Sequence, residues 1–289
     1  MSSVAGMLAI FDVEAGAAAH TFTGTSDGGT RAVVDGSQVL AQSIVAAART
    51  VPGKVVRSAH ATFLRAVDPE RLLRFEVQVV HEGRTFATVI VTAGHGERPC
   101  VLTTVLLDVV HRDVVRHPHR APRTGPDQAM VLDMPMEGRE LRLVGVTDPN
   151  DPDDVGPAEL DAWLRYDEVP ARDDLAKALI AHFTGHLSIS ATLRGHAGFG
   201  TSMAHHTLST AVTTITVTFH EPAVPTVPRW TGWLRYSHES TFVGAGMSHV
   251  RGEVITEDGE PIASFVQEAM IRHFGTGGGE ARIETAARF

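Results

Sequence analysis

A glutamine on an otherwise apolar strand face is the first residue here that points to chemistry. In PIASFVQEAMI the alternation of a strand puts Ala263, Phe265, Gln267, Ala269 and Ile271 on one side. A lone amide among such neighbours costs about 1–3 kcal/mol unless it is hydrogen-bonded. It either holds a small polar ligand or ties down an adjacent strand, and the sequence leaves both readings open. Thr210, Thr214, Thr216 and Thr218 alternate on one expected face with Val212 between them. Their hydroxyls are candidate ligand contacts, but threonine also suits any half-buried strand. His182, His186 and Ser190 stand at i, i+4 and i+8, the spacing of one helix face. With an ordinary pKa of about 6.5, His186 titrates in the range of a general base, and the competing reading is a satisfied core histidine. His182 and His186 also have the spacing of a zinc pair. No Glu lies between them in the metalloprotease manner and no third ligand is evident, so no metal is expected. There is no GxSxG, which argues against a serine-hydrolase elbow.

These residues need elements to position them. GSQVLAQSIVAAARTVP predicts a helix over 36–52, with Asp35 as its cap and Pro52-Gly53 as its stop. Leu175, Leu179, Phe183 and Leu187 form one stripe and predict a second helix over 173–193. Short strands are expected before each, at 19–24 and 160–166. After each helix the same order of features recurs. RSAHATFLRAVDP, RFEVQVVHEGRTFATVIVTA and GERPCVLTTVLL are answered by TTITVTFHEPAVP, GWLRYSHESTFVGAGMSHVRGEV and GEPIASFVQEAMI. Phe63 then corresponds to Phe219, 156 residues later. Setting Pro99 against Pro261 makes Val105 the counterpart of Gln267, so one copy keeps an apolar residue where the other places an amide. The expectation is an α+β double hotdog, two repeats each with a long helix wrapped by a curled antiparallel sheet. The boundaries expected are 1–128 and 159–274, an Asp- and Pro-rich linker over 129–158, and a flexible Gly-rich tail over 275–289.

Composition narrows the partners. Thirty-four acids against 25 Lys plus Arg give a net charge of -9, which disfavours a general nucleic-acid binder. The one cysteine, Cys100, excludes an intrachain disulfide and fits a cytoplasmic protein. The opening MSSVAGMLAIFDVEAG lacks a basic region, and no apolar run reaches the ~18 residues of a membrane helix, so no membrane partner is expected. Self-association into a homo-oligomer is expected from exposed sheet surface. Arg112, Arg116, Arg120 and Arg123 form a basic run that either draws anions or is a solvated linker. PHRAP (118–122) sits in that polar stretch and is read as chance.

Taken in order, DGSQVLAQSIVAAARTVP, SAHATFLRAVDP, TFHEP, WLRYSHEST and HVRGEVITEDGEPIASFVQEAMIR resemble the acyl-CoA thioesterase II family over most of residues 20–274. The resemblance implies a hydrolase that splits acyl-CoA into a fatty acid and coenzyme A without metal or cofactor. It also implies direct water attack, with an Asp, a Thr and a Gln holding the water. Gln267 falls on the family Gln. The family Thr falls on Val212, which leaves Thr210 and Thr214 as candidates. The family Asp falls on Gly185, where a glycine inside a helix suggests close approach by backbone or ligand. The candidate catalytic residues are therefore Gln267, Thr210, Thr214 and His186. The substrate contacts expected are Gly185, Ser190, His60 at a coenzyme A entrance or subunit contact, and Gly36, Ser37 and Gln38. The last three open a helix whose free N–H groups either receive a thioester oxygen or phosphate, or are simply capped. The alternative reading is an acyl-CoA-binding hotdog protein with weak or no hydrolysis. An enoyl-CoA hydratase is disfavoured because no D-x-N-x-x-H arrangement is present.

Overall fold

The computed structural model describes residues 3–274 except 30, 133, 135, 205 and 221–229. The expected tail 275–289, the end of the TFHEPAVP motif and His205 lie outside the described residues. Helix α1 is Val4–Phe11, followed by strands β1 (Glu14–Ala15) and β2 (Thr21–Gly24). Helix α2 is Gly36–Thr50. Strands β3 (Val55–Phe63), β4 (Leu73–Glu82), β5 (Phe86–His95) and β6 (Arg98–Asp108) complete the first half. Strands β7 (Met130–Val131) and β8 (Arg139–Val144) lead into β9 (Glu159–Tyr166), α3 (Asp173–Thr184) and α4 (Ser188–Arg194). Strands β10 (Leu208–Phe219), β11 (Leu234–Gly244), β12 (Met247–Thr256) and β13 (Pro261–His273) end the second half.

Among the described residues thirteen strands join one antiparallel sheet in the order β1-β2-β4-β5-β6-β3-β10-β13-β12-β11-β9-β8-β7. The order is symmetric about the β3–β10 seam except for β7, an extra strand at the edge of the second half. Each of those strands would be an open edge in an isolated half, and pairing them satisfies both rows of backbone groups. The seam registers Thr216 with His60, which are counterparts at the 156-residue offset, and pairs Val217 with Ala59 and Ile215 with Ala61 on either side, so the two repeats are related by a two-fold at that point. The outer registers agree with it. Ala59 pairs Val105 and Val105 pairs Val89, while Ile215 pairs Gln267 and Gln267 pairs Val250. Val105 and Gln267 thus occupy equivalent places, and both are buried.

The core lies between the sheet and the helices. In α2 every residue from Ser37 to Ala47 is buried, so the helix is covered on all sides. The nitrogens of its buried amides donate internally. Gln42 Nε2 donates to the carbonyls of Ile10 (3.0 Å) and Thr25 (2.8 Å), and Gln38 exchanges hydrogen bonds with the Asp27 backbone. In α3 burial runs from Ala176 to Thr184 and includes Lys177, whose ammonium donates to the Val56 carbonyl at 2.8 Å and pairs with Asp173 at 2.9 Å. That bond crosses from the second half to the first.

Three features depart from the sequence reading. The helix expected over 173–193 is broken between α3 and α4, with Leu187 in the left-handed region at φ 66°. The reason is steric: the end of α3 meets the start of α2, and the chain must turn there. The segment 129–158 supplies β7 and β8 to the edge of the second half-sheet, while 147–157 is mostly exposed loop. The opening residues form α1, which seats Met7 and Phe11 in the core.

Candidate active site

The two helices run so that the start of α2 touches the end of α3. A Cβ built on Gly185 would lie 2.5 Å from Ser37 Cβ and 3.4 Å from Ile215 Cδ1. The missing side chain at Gly185 is what lets the halves meet, and it places the end of α3 beside the Gln267 row, since Ile215 is the register partner of Gln267. Gly36 allows a close approach within the first half, its would-be Cβ lying 2.6 Å from the Phe63 ring.

Asp35 caps α2, accepting from the Ser37 N–H at 3.0 Å and the Ser37 hydroxyl at 2.7 Å. Its other carboxylate oxygen faces Arg31 at 3.4 Å and His186 Nε2 at 3.9 Å. The sequence reading used Asp35 only as a cap. The signal that would have found it is spatial, because 151 residues separate it from His186. His186 stacks on Phe183, and its Nδ1 lies 3.2 Å from the His182 carbonyl. The His182 ring centroid is 4.9 Å from that of His186, and neither of its ring nitrogens has a hydrogen-bond partner among the described residues. His238, on β11, is buried with Nδ1 donating to the Leu160 carbonyl at 3.1 Å.

Gln267 is 1% exposed, and among the described residues neither its amide oxygen nor its nitrogen meets a hydrogen-bond partner. The structural tie to a neighbouring strand, one of the two sequence readings, is therefore not made. The larger clefts do not reach it. One of about 590 Å³ lies on the outer face of the second half-sheet, lined by Thr216, Thr218, Arg235 and Glu239 among others. Another of about 500 Å³ lies between the end of α2 and the start of α3, by Arg49, Lys54 and Arg172.

The threonines separate at a β-bulge. Register slips between Val212 and Thr214, leaving Thr213 as the extra residue, and a one-residue slip turns the rest of the strand over. Thr210 stays on the buried side, its hydroxyl without a partner among the described residues. Thr214 instead faces outward and donates to the Glu268 carboxylate at 2.9 Å. The expectation of one shared threonine face is corrected, and Thr214 does not join Gln267. The single face through His182, His186 and Ser190 is likewise interrupted by the helix break. Ser190 accepts from the Thr201 hydroxyl at 2.8 Å and lines a small cavity with Pro149 and Phe199. His60 lies on the outer face at the seam, 2.7 Å from the Thr216 hydroxyl. At the start of α2 the Ser37 amide goes to the Asp35 carboxylate and the Gln38 amide to the Asp35 carbonyl, so both N–H groups are taken. In the basic run, Arg116 pairs with Asp113 and Glu260.

Burial sets the protonation states. It pushes His182 down to about 3 and His238 down to about 4, and it also lowers His186, so the three rings are neutral near pH 7. Burial works to raise the Asp35 carboxyl, but His186, His182, the Ser37 hydrogen bond and Arg31 together hold it below the ordinary carboxylate range. All four groups bind protons more weakly in the folded state than in the unfolded chain. Stability is therefore full above about pH 6.5 and is lost as pH falls toward 4, at up to about 1.4 kcal/mol per pH unit for each histidine. Denaturant midpoints at pH 7, 6 and 5 should fall steadily; equal midpoints at pH 7 and 5 would contradict neutral burial of these rings.

Comparison with known proteins now adds to this geometry. A family model for an acyl-CoA thioesterase N-terminal domain matches residues 26–107, and one for the C-terminal domain matches residues 113–271. The acyl-CoA thioesterase 2 of Haemophilus influenzae is 26% identical over 261 residues, covering 83% of this chain and 87% of that protein. Among solved structures, the tesB protein of Mycobacterium avium subs paratuberculosis superposes with a TM-score of 0.76 at 25% identity, covering 93% of this chain and all of that one (100%). A conserved protein with a hot dog fold from Alicyclobacillus acidocaldarius gives a TM-score of 0.75 at 16% identity, over 93% of this chain and 98% of that one. The fold is a double hotdog.

Proposed function

Because this chain belongs to the acyl-CoA thioesterase family, we propose that it hydrolyses acyl-CoA thioesters to a fatty acid and coenzyme A by direct attack of water. The observation that carries this reading is the buried Gln267 amide with no partner among the described residues, set on the β13 face beside the end of α3. An apolar half-sheet that places an unused donor and acceptor at one site, and Val105 at the equivalent site of its twin, is built for one reaction centre in the second half. In this reading Gln267 holds the water or the developing oxyanion and His186 takes the proton. Thr210 offers a hydroxyl further along the same inner face, four strand positions or about 13 Å from the Gln267 row. Gly185 and the Ser37 end of α2 form the wall that the thioester meets.

Supporting features extend to setting and partners. The single cysteine is free and buried, and among the described residues no helix is long and apolar enough to cross a membrane. We read the protein as cytoplasmic, with acyl-CoA as its substrate and with the outer sheet face available to further copies of the chain in a homo-oligomer.

The direct test is release of free thiol from acyl-CoAs of increasing chain length. The expected result is release that depends on chain length. Binding of acyl-CoA with no thiol release would replace this reading with that of a non-hydrolytic acyl-CoA binder.

A further inference from the structure

We propose that Asp35, from the first half of the chain, is the carboxylate that works with His186 on the attacking water, taking the place of an acid at Gly185. The inference rests on the thioesterase reading and deepens it. An acid at position 185 is barred sterically, since any Cβ there would lie 2.5 Å from Ser37 Cβ and 2.8 Å from Ser37 Oγ. The same Ser37 hydroxyl hydrogen-bonds Asp35 at 2.7 Å. The carboxylate therefore enters the region from the α2 cap rather than from α3.

The His186 ring orientation is informative. Its Nδ1 sits 3.2 Å from the His182 carbonyl, which only accepts, so in the neutral ring Nδ1 carries the proton and Nε2 the lone pair. Nε2 faces Asp35 Oδ2 at 3.9 Å. Two acceptors at that separation do not bond each other, but two hydrogen bonds of about 2.8 Å from one water span it. Such a water donates one proton to His186 and the other to Asp35, leaving an oxygen lone pair free to attack. Both side chains retain partial exposure, 22% for Asp35 and 18% for His186, so the seat is open to substrate from one side.

The chemistry balances without a further reagent. As the water oxygen bonds to the thioester carbon, His186 Nε2 takes its proton and the ionised Asp35 stabilises the imidazolium. The tetrahedral oxyanion collapses, the C–S bond breaks, and the imidazolium returns the proton to the departing thiolate. The products are the fatty acid and the coenzyme A thiol. The charged and titratable groups facing His186 are Asp35 and Arg31 from the segment before α2, His182 on α3, Arg139 on β8 and His238 on β11. Of these only Asp35 raises the basicity of the ring by its charge.

Asp35→Asn tests this, because Asn caps a helix as well as Asp does and the fold is retained. On the full chain, kcat for thiol release should fall about a hundredfold, on the scale of lost acid–base assistance. The acid limb of kcat/KM and the NMR titration of the His186 ring should both move to lower pH. His186→Gln should abolish that limb. Wild-type kcat in Asp35→Asn, or a His186 titration that does not move, would overturn the pairing while leaving the thioesterase reading intact. Absence of thiol release from the wild-type protein would overturn both.

Discussion

Gln267→Ala should lower turnover by about ten- to a thousand-fold while acyl-CoA affinity stays nearly unchanged, the pattern of a contact made mainly in the transition state. The residue is buried, and neither amide atom is engaged by another of the described residues, so its removal breaks no hydrogen bond among them. That separates this variant from an ordinary core polar substitution, where a partner is stranded and stability falls. The expected stability change is small, and a kinetic effect stands out against it. Val105→Ala is the matched control, because Val105 holds the equivalent register between Ala59 and Val89. It should cost stability and leave kcat in place. A Gln267→Ala protein with unchanged kcat and a raised KM would show that the amide serves ground-state binding only.

Gly185→Ala should destabilise the protein by about 1–3 kcal/mol, the usual cost of forcing a carbon into a packed interior. Elsewhere in a helix the same change would gain about 1 kcal/mol. The sign reverses here because the new methyl would lie 2.5 Å from Ser37 Cβ, which is fixed by the buried α2 backbone. Relief should come from the other side of the contact. Ser37→Gly in the Gly185→Ala background should recover stability beyond what the single substitutions add up to, a coupling read from a double-mutant cycle in denaturant. Additive effects would mean that the two positions do not share the strain. The prediction also bears on activity, since a displaced α2 start carries Asp35 away from His186.

Much of this architecture is legible in the sequence because it depends on local periodicity and on repetition. The 36–52 helix, the strand before each helix and the matched strand order after it all follow from apolar spacing, and the offset of Phe219 from Phe63 identifies counterpart residues, while the antiparallel seam register that pairs His60 with Thr216 comes from packing. Gln267 is likewise visible, since strand alternation alone puts it among apolar neighbours. What tertiary structure decided lies wherever separate elements meet. A glycine at 185 reads as a weak helix residue in sequence; only the approach of Ser37 makes it a stop. The bulge at Thr213 turns Thr214 outward, and no count of alternating residues foresees an inserted residue, because the strand partner sets the slip. Asp35 reads as a cap, which it is, and the sequence contains nothing that brings it to His186. Sequence patterns report which face a side chain takes on its own element, whereas the chemistry here arises between elements whose meeting is fixed by packing of the two halves.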